Sequence, residues 1–207
     1  GREAEEFVKL ARLHLLRGER GHAETAYRRA VETAPGLLPA RSELAGLLQE
    51  EGRVEEAVEQ LRTLLSLQPQ HFGALLAMGQ LAEQRGDLAA ARRSFDAASR
   101  VAVSALERIQ AAIALVRFLA TCAEATYRDV PLAVEIAENA NVATGRRYPS
   151  LLDVLAEAYF AAGRTGEAIA TAGEARDLAR QVNAPDLARE IDGKLQRYRL
   201  GGGEGPD

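Results

Sequence analysis

Residues Gly18–Pro35 read GERGHAETAYRRAVETAP, and the same form returns at Gly52–Pro69 as GRVEEAVEQLRTLLSLQP and at Gly86–Val103 as GDLAAARRSFDAASRVAV. The first glycines of these three segments lie 34 residues apart. Small and bulky positions inside the segments keep the same step: Ala23, Ala57 and Ala91, then Tyr27, Leu61 and Phe95. One spacing shared by so many positions indicates an internal repeat, in which each copy is one supersecondary unit.

Each copy predicts a pair of helices joined by a tight turn. Upstream of the first glycine, Phe7, Leu10 and Ala11 stand at helical spacing. Gly18 stands where that helix must end, and the left-handed position after a helix C-terminus favours glycine. Pro35 is expected to close the second helix, because proline cannot donate the next backbone hydrogen bond.

The second half of the chain contains two further copies. Leu151–Arg180 keeps the repeat positions and predicts a fifth helix pair. The copy before it is stretched, and the connection Ala123–Val130 replaces its turn glycine. Pro131 suits the first turn of the helix that follows, with Asp129 or Val130 as its N-cap.

A final amphipathic segment, Asp186–Arg199, predicts a helix that caps the array. It places Leu187, Ile191 and Leu195 on one stripe and its charged residues, Lys194 among them, on the solvent surface. The repeats are predicted at 4–37, 38–71, 72–105, 106–148 and 149–182, with the capping helix at 183–200 and a flexible tail at 201–207.

The pattern resembles the tetratricopeptide repeat (TPR), whose 34-residue form runs W-x₂-L-G-x₂-Y, then A-x₃-F, with a proline near its end. The leading aromatic position is degenerate here, with Phe7, Arg41 and Leu75, whereas the Leu-Gly/Ala and Ala-x₃-Phe/Tyr/Leu positions agree. The resemblance covers nearly the whole chain. It implies an all-α, TPR-type α-solenoid of about five helix-turn-helix repeats plus a C-terminal capping helix.

The last two repeats are similar to the C-terminal TPR module of large multidomain bacterial proteins. The runs that carry this likeness are LATC (119–122), YRD (127–129), LAVEIAE (132–138), TGRRYP (144–149) and LLDVLAEAY (151–159). Ala123 and Val130 stand where that module usually has proline and glycine. The likeness implies a bacterial chain that forms the C-terminal piece of something longer, in the cytoplasm or the periplasm.

Composition argues against several classes of protein. The 207 residues carry 26 Lys and Arg against 30 Asp and Glu, and this net charge of −4 argues against a nucleic-acid binder. Aromatic residues make up only 5%, so surfaces for base stacking are poorly supplied. A single cysteine excludes a disulfide framework and a Cys-rich zinc site. No apolar run approaches the roughly 18 residues that suggest a membrane span, so no direct membrane insertion is expected.

The residues that carry most enzyme chemistry form no recognisable arrangement. His14, His22 and His71 are expected to lie far apart, without a carboxylate or cysteine at ligand spacing, so no metal site is predicted. Cys122 is expected to be a packed thiol rather than a nucleophile. The glycines form neither a dinucleotide-binding nor a P-loop motif. The chain is therefore predicted to be non-enzymatic and to use no cofactor.

The resemblance implies a concave groove lined by the first helices of the repeats, which in relatives holds an extended peptide or a partner's helix. The residues expected to line it and to contact a protein or peptide partner are Lys9, Arg12, Glu43, Gln49, Gln80, Glu83, Arg117, Asp153 and Glu157. Chaperone-binding relatives grip a C-terminal carboxylate with lysine, asparagine and arginine side chains. The matching positions here are Val8, Arg12, Glu43, Gly73 and Ala77, so a carboxylate clamp is not expected.

Three functional hypotheses follow from these observations. The leading one is a protein–protein interaction scaffold that binds a protein or peptide segment in the groove. The alternative is a regulatory or targeting C-terminal domain of a larger bacterial enzyme or membrane protein. Self-association through the end repeat or the loop around Tyr127 is the third.

Overall fold

The computed structural model describes residues 2–201, and within that range the chain contains eleven α-helices and no strand. The predicted all-α fold is confirmed. The helices are α1 (Arg2–Leu16), α2 (Arg20–Thr33), α3 (Leu38–Glu50), α4 (Val54–Leu67), α5 (Phe72–Gln84), α6 (Leu88–Val101), α7 (Ala105–Thr121), α8 (Val130–Ala143), α9 (Pro149–Ala161), α10 (Thr165–Gln181) and α11 (Pro185–Gly201).

The helices form two compact units, one that ends at Val101 and one that begins at Ala102. In the first unit α1 packs against α2, α3 against α4 and α5 against α6, and each pair also contacts the next. In the second unit α9 packs against α7, α8 and α10, and α11 packs against α10. Both units are therefore built from helical hairpins that pack on their neighbours in chain order.

The predicted turn after α1 is confirmed in its hydrogen bonds. Gly18 has a φ of +76°, the left-handed region in which a side chain would be strained. The N–H of Gly18 donates to the carbonyl of Leu15, and the N–H of Glu19 donates to the carbonyl of His14. These two bonds form a Schellman motif, which satisfies carbonyls that the helix end leaves unpaired. The same hydrogen-bond pattern follows α3, at Gly52.

The connection between α7 and α8 has no turn glycine, as predicted, and a side-chain cap begins the second helix. Asp129 is the N-cap of α8, and its carboxylate accepts a hydrogen bond of 3.1 Å from the N–H of Leu132. The N–H of Asp129 also donates to the carbonyl of Leu119, which fastens the loop to the end of α7. Cys122, at the start of this loop, is buried.

The positions that recur every 34 residues form the core of the first unit. Ala23, Ala57 and Ala91 are fully buried, because a larger side chain there would separate the helices. The bulky positions Tyr27, Leu61 and Phe95 are buried as well. Each fully buried side chain of this size stabilises the fold by about 1.5–3 kcal/mol.

Helix α11 follows the predicted capping segment with two differences. It continues to Gly201, and the rest of the predicted tail, residues 202–207, lies outside the described residues. Ile191, Leu195 and Tyr198 pack into the second unit as expected. Lys194 was expected on the solvent surface and is instead 5% exposed, because it forms ion pairs beneath the helix.

Candidate protein-binding surfaces

In the first unit, Arg12 of α1 and Glu43 of α3 form a two-pronged ion pair. Nε of Arg12 donates to Oε2 of Glu43 at 2.9 Å, and a second guanidinium nitrogen donates to the other carboxylate oxygen. The hydroxyl of Tyr27 donates to Glu43 Oε2 at 2.7 Å. Burial raises the pKa of Glu43, but the hydrogen bonds from Arg12 and Tyr27 outweigh it and the pKa is lowered. Glu43 is therefore a carboxylate already bound to its own chain.

A cavity of about 520 Å³ opens beside this ion pair, and we call its lining the first-unit groove. The residues that line it are Arg12, Leu15, Leu16, Tyr27, Glu43, Gly46, Leu47 and Glu50. Leu16 is 86% exposed at the end of α1, and Leu15 is also exposed. A single exposed leucine is ordinary, but apolar side chains gathered around one cavity mark a surface that can bind a partner.

The other predicted groove residues of the first unit lie outside this cavity. Lys9 is exposed and forms an ion pair of 2.8 Å with Glu6 of its own helix. Gln49 is half-buried, and Gln80 and Glu83 are exposed. Of the predicted residues, the structure thus brings Arg12 and Glu43 together. Leu15 and Leu16 line the cavity but were not among the predicted residues. The leucine-rich end of α1 is the feature of the sequence that could have indicated them.

In the second unit, three predicted residues meet around a lysine that was expected on the solvent surface. Nζ of Lys194 in α11 lies 2.6 Å from Asp153 Oδ2, 2.7 Å from Glu157 Oε1 and 3.0 Å from Glu190 Oε1. Nε of Arg117 in α7 lies 3.4 Å from Glu157 Oε2. Charged side chains from α7, α9 and α11 therefore form one network.

Asp153 is not the exposed groove residue that was expected, because it is 1% exposed and bonded to Lys194. Burial raises the pKa of Asp153, and Lys194 offsets this only in part. Burial alone would lower the pKa of Lys194, but its hydrogen bonds to Asp153 and Glu157 raise it overall. The signal for a buried lysine was its place in α11, since Lys194 stands between the core residues Ile191 and Leu195.

A second, smaller cavity of about 270 Å³ lies beside this network. It is lined by Ala120, Thr121, Glu157, Phe160, Ala161, Arg197 and Tyr198. The Phe160 and Tyr198 rings stack with their centroids 4.5 Å apart. The Tyr198 hydroxyl is buried with no hydrogen-bond partner among the described residues, and burial raises its pKa to about 12.

The prediction that the histidines lie apart is wrong for His14 and His22. Their ring centroids are 5.2 Å apart, and Glu19 accompanies them with Oε2 2.5 Å from Nδ1 of His14. The turn at Gly18 reverses the chain and brings the two rings together, which a count of residues along the repeat could not show. His71 is separate and serves as the N-cap of α5, where its ring accepts from the N–H of Ala74 at 3.1 Å.

Comparison with known families agrees with this architecture. Residues 48–116 match the family model described as tetratricopeptide repeat. The chain therefore contains tetratricopeptide repeats. The match spans the end of α3 to most of α7, and the helical hairpins continue on both sides of it. No curated protein matches the sequence of this TPR protein.

Solved structures with the same fold cover nearly all of this TPR protein. TTC0263, a TPR protein of Thermus thermophilus, superposes with a TM-score of 0.66 at 21% identity over 93% of this chain and 99% of its own. PilF of Pseudomonas aeruginosa superposes with a TM-score of 0.69 at 19% identity, over 97% of this chain and 93% of its own. Yeast Tom70 gives 0.67 at 15% identity over 94% of this chain and 41% of its own. At these identities the likeness shows the fold.

The TPR fold is that of a protein–protein interaction scaffold, and proteins built on it are typically non-enzymatic. The repeating hairpins provide a surface made of many helices, which suits contact with another polypeptide. Among residues 2–201 of this TPR protein, every helix is too short or too polar to cross a membrane.

Proposed function

We propose that this TPR protein is a non-enzymatic scaffold that binds a segment of a protein partner in the first-unit groove. The observation that carries the proposal is the cavity of about 520 Å³, which is lined both by exposed leucines and by the Arg12–Glu43 ion pair. Apolar walls beside fixed polar groups are the usual composition of a site that takes a side-chain anchor from a partner.

The charges of the groove define which segments fit. Arg12 and Glu43 bind each other, so neither is an unpaired charge waiting for an ionic partner. A segment that brings an anionic terminus to this place would meet the carboxylates of Glu43 and Glu50. The partner segment is therefore one that presents apolar side chains to Leu15, Leu16 and Leu47, in the manner of a helix or extended peptide in a groove.

The second unit offers a smaller surface of the same kind. Its cavity is lined by Phe160 and by the apolar atoms of Ala120 and Ala161, with Arg197 and Glu157 as charged groups. Glu157 is held by Lys194 and Arg117, so the ion pairs again fix the polar side of the cavity. This cavity is therefore a separate candidate contact for a partner.

The test compares two leucines that each form the last residue of a helix. Leu16 ends α1 and lines the groove, whereas Leu67 ends α4, is also exposed and does not line that cavity. A photo-crosslinking residue placed at each position in turn, in cells of the source organism, should capture a partner at Leu16 and not at Leu67.

The captured protein is then purified and titrated against Leu16→Gln and Leu67→Gln variants. We expect Leu16→Gln to weaken binding by more than about tenfold, since burial of a leucine in an interface contributes about 1.4 kcal/mol or more. Leu67→Gln should bind as the unchanged protein does. Equal affinity of all three proteins would contradict the proposal and would move the binding surface away from α1.

A further inference from the structure

We propose that His14, Glu19 and His22 form a binding site for a divalent transition metal ion of the zinc type. One ligand atom from each residue, two ring nitrogens and a carboxylate oxygen, lies within 4.8 Å of the other two. The three side chains come from the last turn of α1, the N-cap of α2 and the first turn of α2. A bound ion would therefore join the two helices of the first hairpin.

The local fold arranges these side chains before any ion binds. The Schellman turn at Gly18 fixes Glu19 directly after α1, with its carboxylate 2.5 Å from Nδ1 of His14. The rings of His14 and His22 stack at an interplanar angle of 27°. Of the two hydrogen-bonded side chains, His14 is 20% exposed and Glu19 is 41% exposed. Solvent can therefore reach the carboxylate side of the cluster.

A small side-chain rotation would bring the ligand atoms to the spacing of a tetrahedral site. Zinc binds imidazole nitrogen at about 2.0–2.1 Å and carboxylate oxygen at about 2.0–2.2 Å, which places neighbouring ligand atoms about 3.3–3.5 Å apart. Separations in the cluster of up to 4.8 Å exceed this by an amount that rotation of the exposed His22 side chain can close. The ion would take the place of the proton that His14 and Glu19 share in their hydrogen bond.

The donor set favours one class of metal. Imidazole nitrogen suits Zn²⁺, Co²⁺, Ni²⁺ and Cu²⁺, whereas Mg²⁺ and Ca²⁺ prefer sites made of oxygen atoms. Three protein ligands leave one tetrahedral position for water, as in zinc sites that remain open to solvent. The proposal does not depend on the groove, because no residue of the cluster lines that cavity.

Neighbouring charges set the strength of the site. His14 and His22 line a cavity of about 220 Å³ together with Arg29, and the charge of Arg17 also acts on Glu19. The N-terminus of α2 adds partial positive charge beside the ligands. The carboxylate of Glu19 opposes these positive groups, so we expect an affinity in the micromolar range rather than that of a buried structural zinc site.

The test is calorimetric titration of the tag-free full chain with ZnCl₂ in a buffer that does not bind metals. We expect one ion per chain, and a loss of affinity greater than about 100-fold in His22→Gln and in Glu19→Gln. This exceeds the loss of about 10–100-fold that removal of an outer-shell partner typically causes. His71→Asn is the matched control, because asparagine can still cap α5 and the affinity should not change.

A second readout follows from the position of the site between two helices. Zinc in excess should raise the Tm of the unchanged protein and of His71→Asn but not that of His22→Gln, since a ligand that binds only the folded state stabilises it. Mg²⁺ at the same concentration should leave every Tm as it was. Failure to saturate with Zn²⁺, the same affinity in His22→Gln as in the unchanged protein, or an equal loss in His71→Asn would overturn the proposal.

Discussion

A Cβ atom on Gly79 of α5 would lie 2.5 Å from Cε1 of the Phe95 ring in α6. The Phe95 ring therefore packs so closely against Gly79 that it leaves no room for a side chain there. Ala11 and Ala45 stand at the equivalent positions of the first two repeats, so the third repeat alone among these three uses glycine. The position of the Phe95 ring therefore requires glycine at residue 79.

Gly79→Ala should therefore destabilise the protein although alanine is the better helix former. Overpacking costs about 1–3 kcal/mol, and the gain in helix propensity returns only about 1 kcal/mol, so we expect a net loss of up to about 2 kcal/mol. Gly46→Ala is the matched control, because Gly46 is exposed in the middle of α3 and a Cβ there would meet nothing within 4 Å. It should gain about 0.5–1 kcal/mol. Urea denaturation measures both, and a gain at Gly79 would contradict the packing described.

Lys194→Met should be among the most destabilising single substitutions in the second unit. It leaves Asp153 and Glu157 next to each other with only the half-exposed Arg117 as a cation, and removal of one partner of a buried ion pair costs about 3–5 kcal/mol. The chain has only one other lysine, Lys9, which is exposed, and Lys9→Met is the control that should change stability little. A similar small effect of both substitutions in urea denaturation would show that the network is not needed for stability.

Acid should remove the stabilisation that Glu56 provides. Hydrogen bonds from Arg53 and Arg28 lower the pKa of Glu56 to about 2. A pKa that is lower in the folded state stabilises the protein above the ordinary glutamate pKa of 4.5, and this contribution is lost as the pH falls from there towards 2.

The difference in unfolding free energy between the unchanged protein and Glu56→Gln should therefore be largest at neutral pH and shrink as the pH falls through that window. Urea denaturation at several pH values measures it. A difference that stays constant with pH would mean that the ion pairs with Arg53 and Arg28 do not form in solution.

Asn141→Ala should cost about 0.5–1.5 kcal/mol, because it removes a buried hydrogen bond between two helices. Nδ2 of Asn141 in α8 donates to the carbonyl of Leu151 in α9 at 2.9 Å, and also to that of Ala137. Asn139→Ala is the matched control on the same helix, since Asn139 is exposed. Thermal unfolding of the two variants gives the comparison, and equal values would rule out a structural role for the bond between α8 and α9.

The helices and their turns were predictable because local rules govern them. Gly18 and Gly52 end helices in the left-handed region, and Asp129 begins a helix as its N-cap. Each of these effects depends only on residues that are close in the chain. The 34-residue step of the small and bulky positions was equally informative, because each repeat meets only its neighbours and packing repeats with the sequence.

The candidate sites were predictable only in part, because they depend on which side chains meet across helices. Arg12 and Glu43 were correctly placed on neighbouring first helices, but their mutual ion pair was not foreseen. Lys194 looked like a surface charge on an amphipathic helix, and Asp153 looked like a groove residue. Both are buried, since each neutralises the other in the interior.

What the amino-acid sequence determined by itself is the repeat: its period, its two helices, the glycine that reverses the chain and the small residues that let helices approach. These depend on steric and hydrogen-bonding preferences that act over a few residues. Only the tertiary structure decided that His14, Glu19 and His22 meet. The same holds for the carboxylates that surround Lys194 and for the close packing of Phe95 on Gly79. Those contacts join residues on different helices, and the distance between two such side chains depends on how the helices pack rather than on their separation in the sequence.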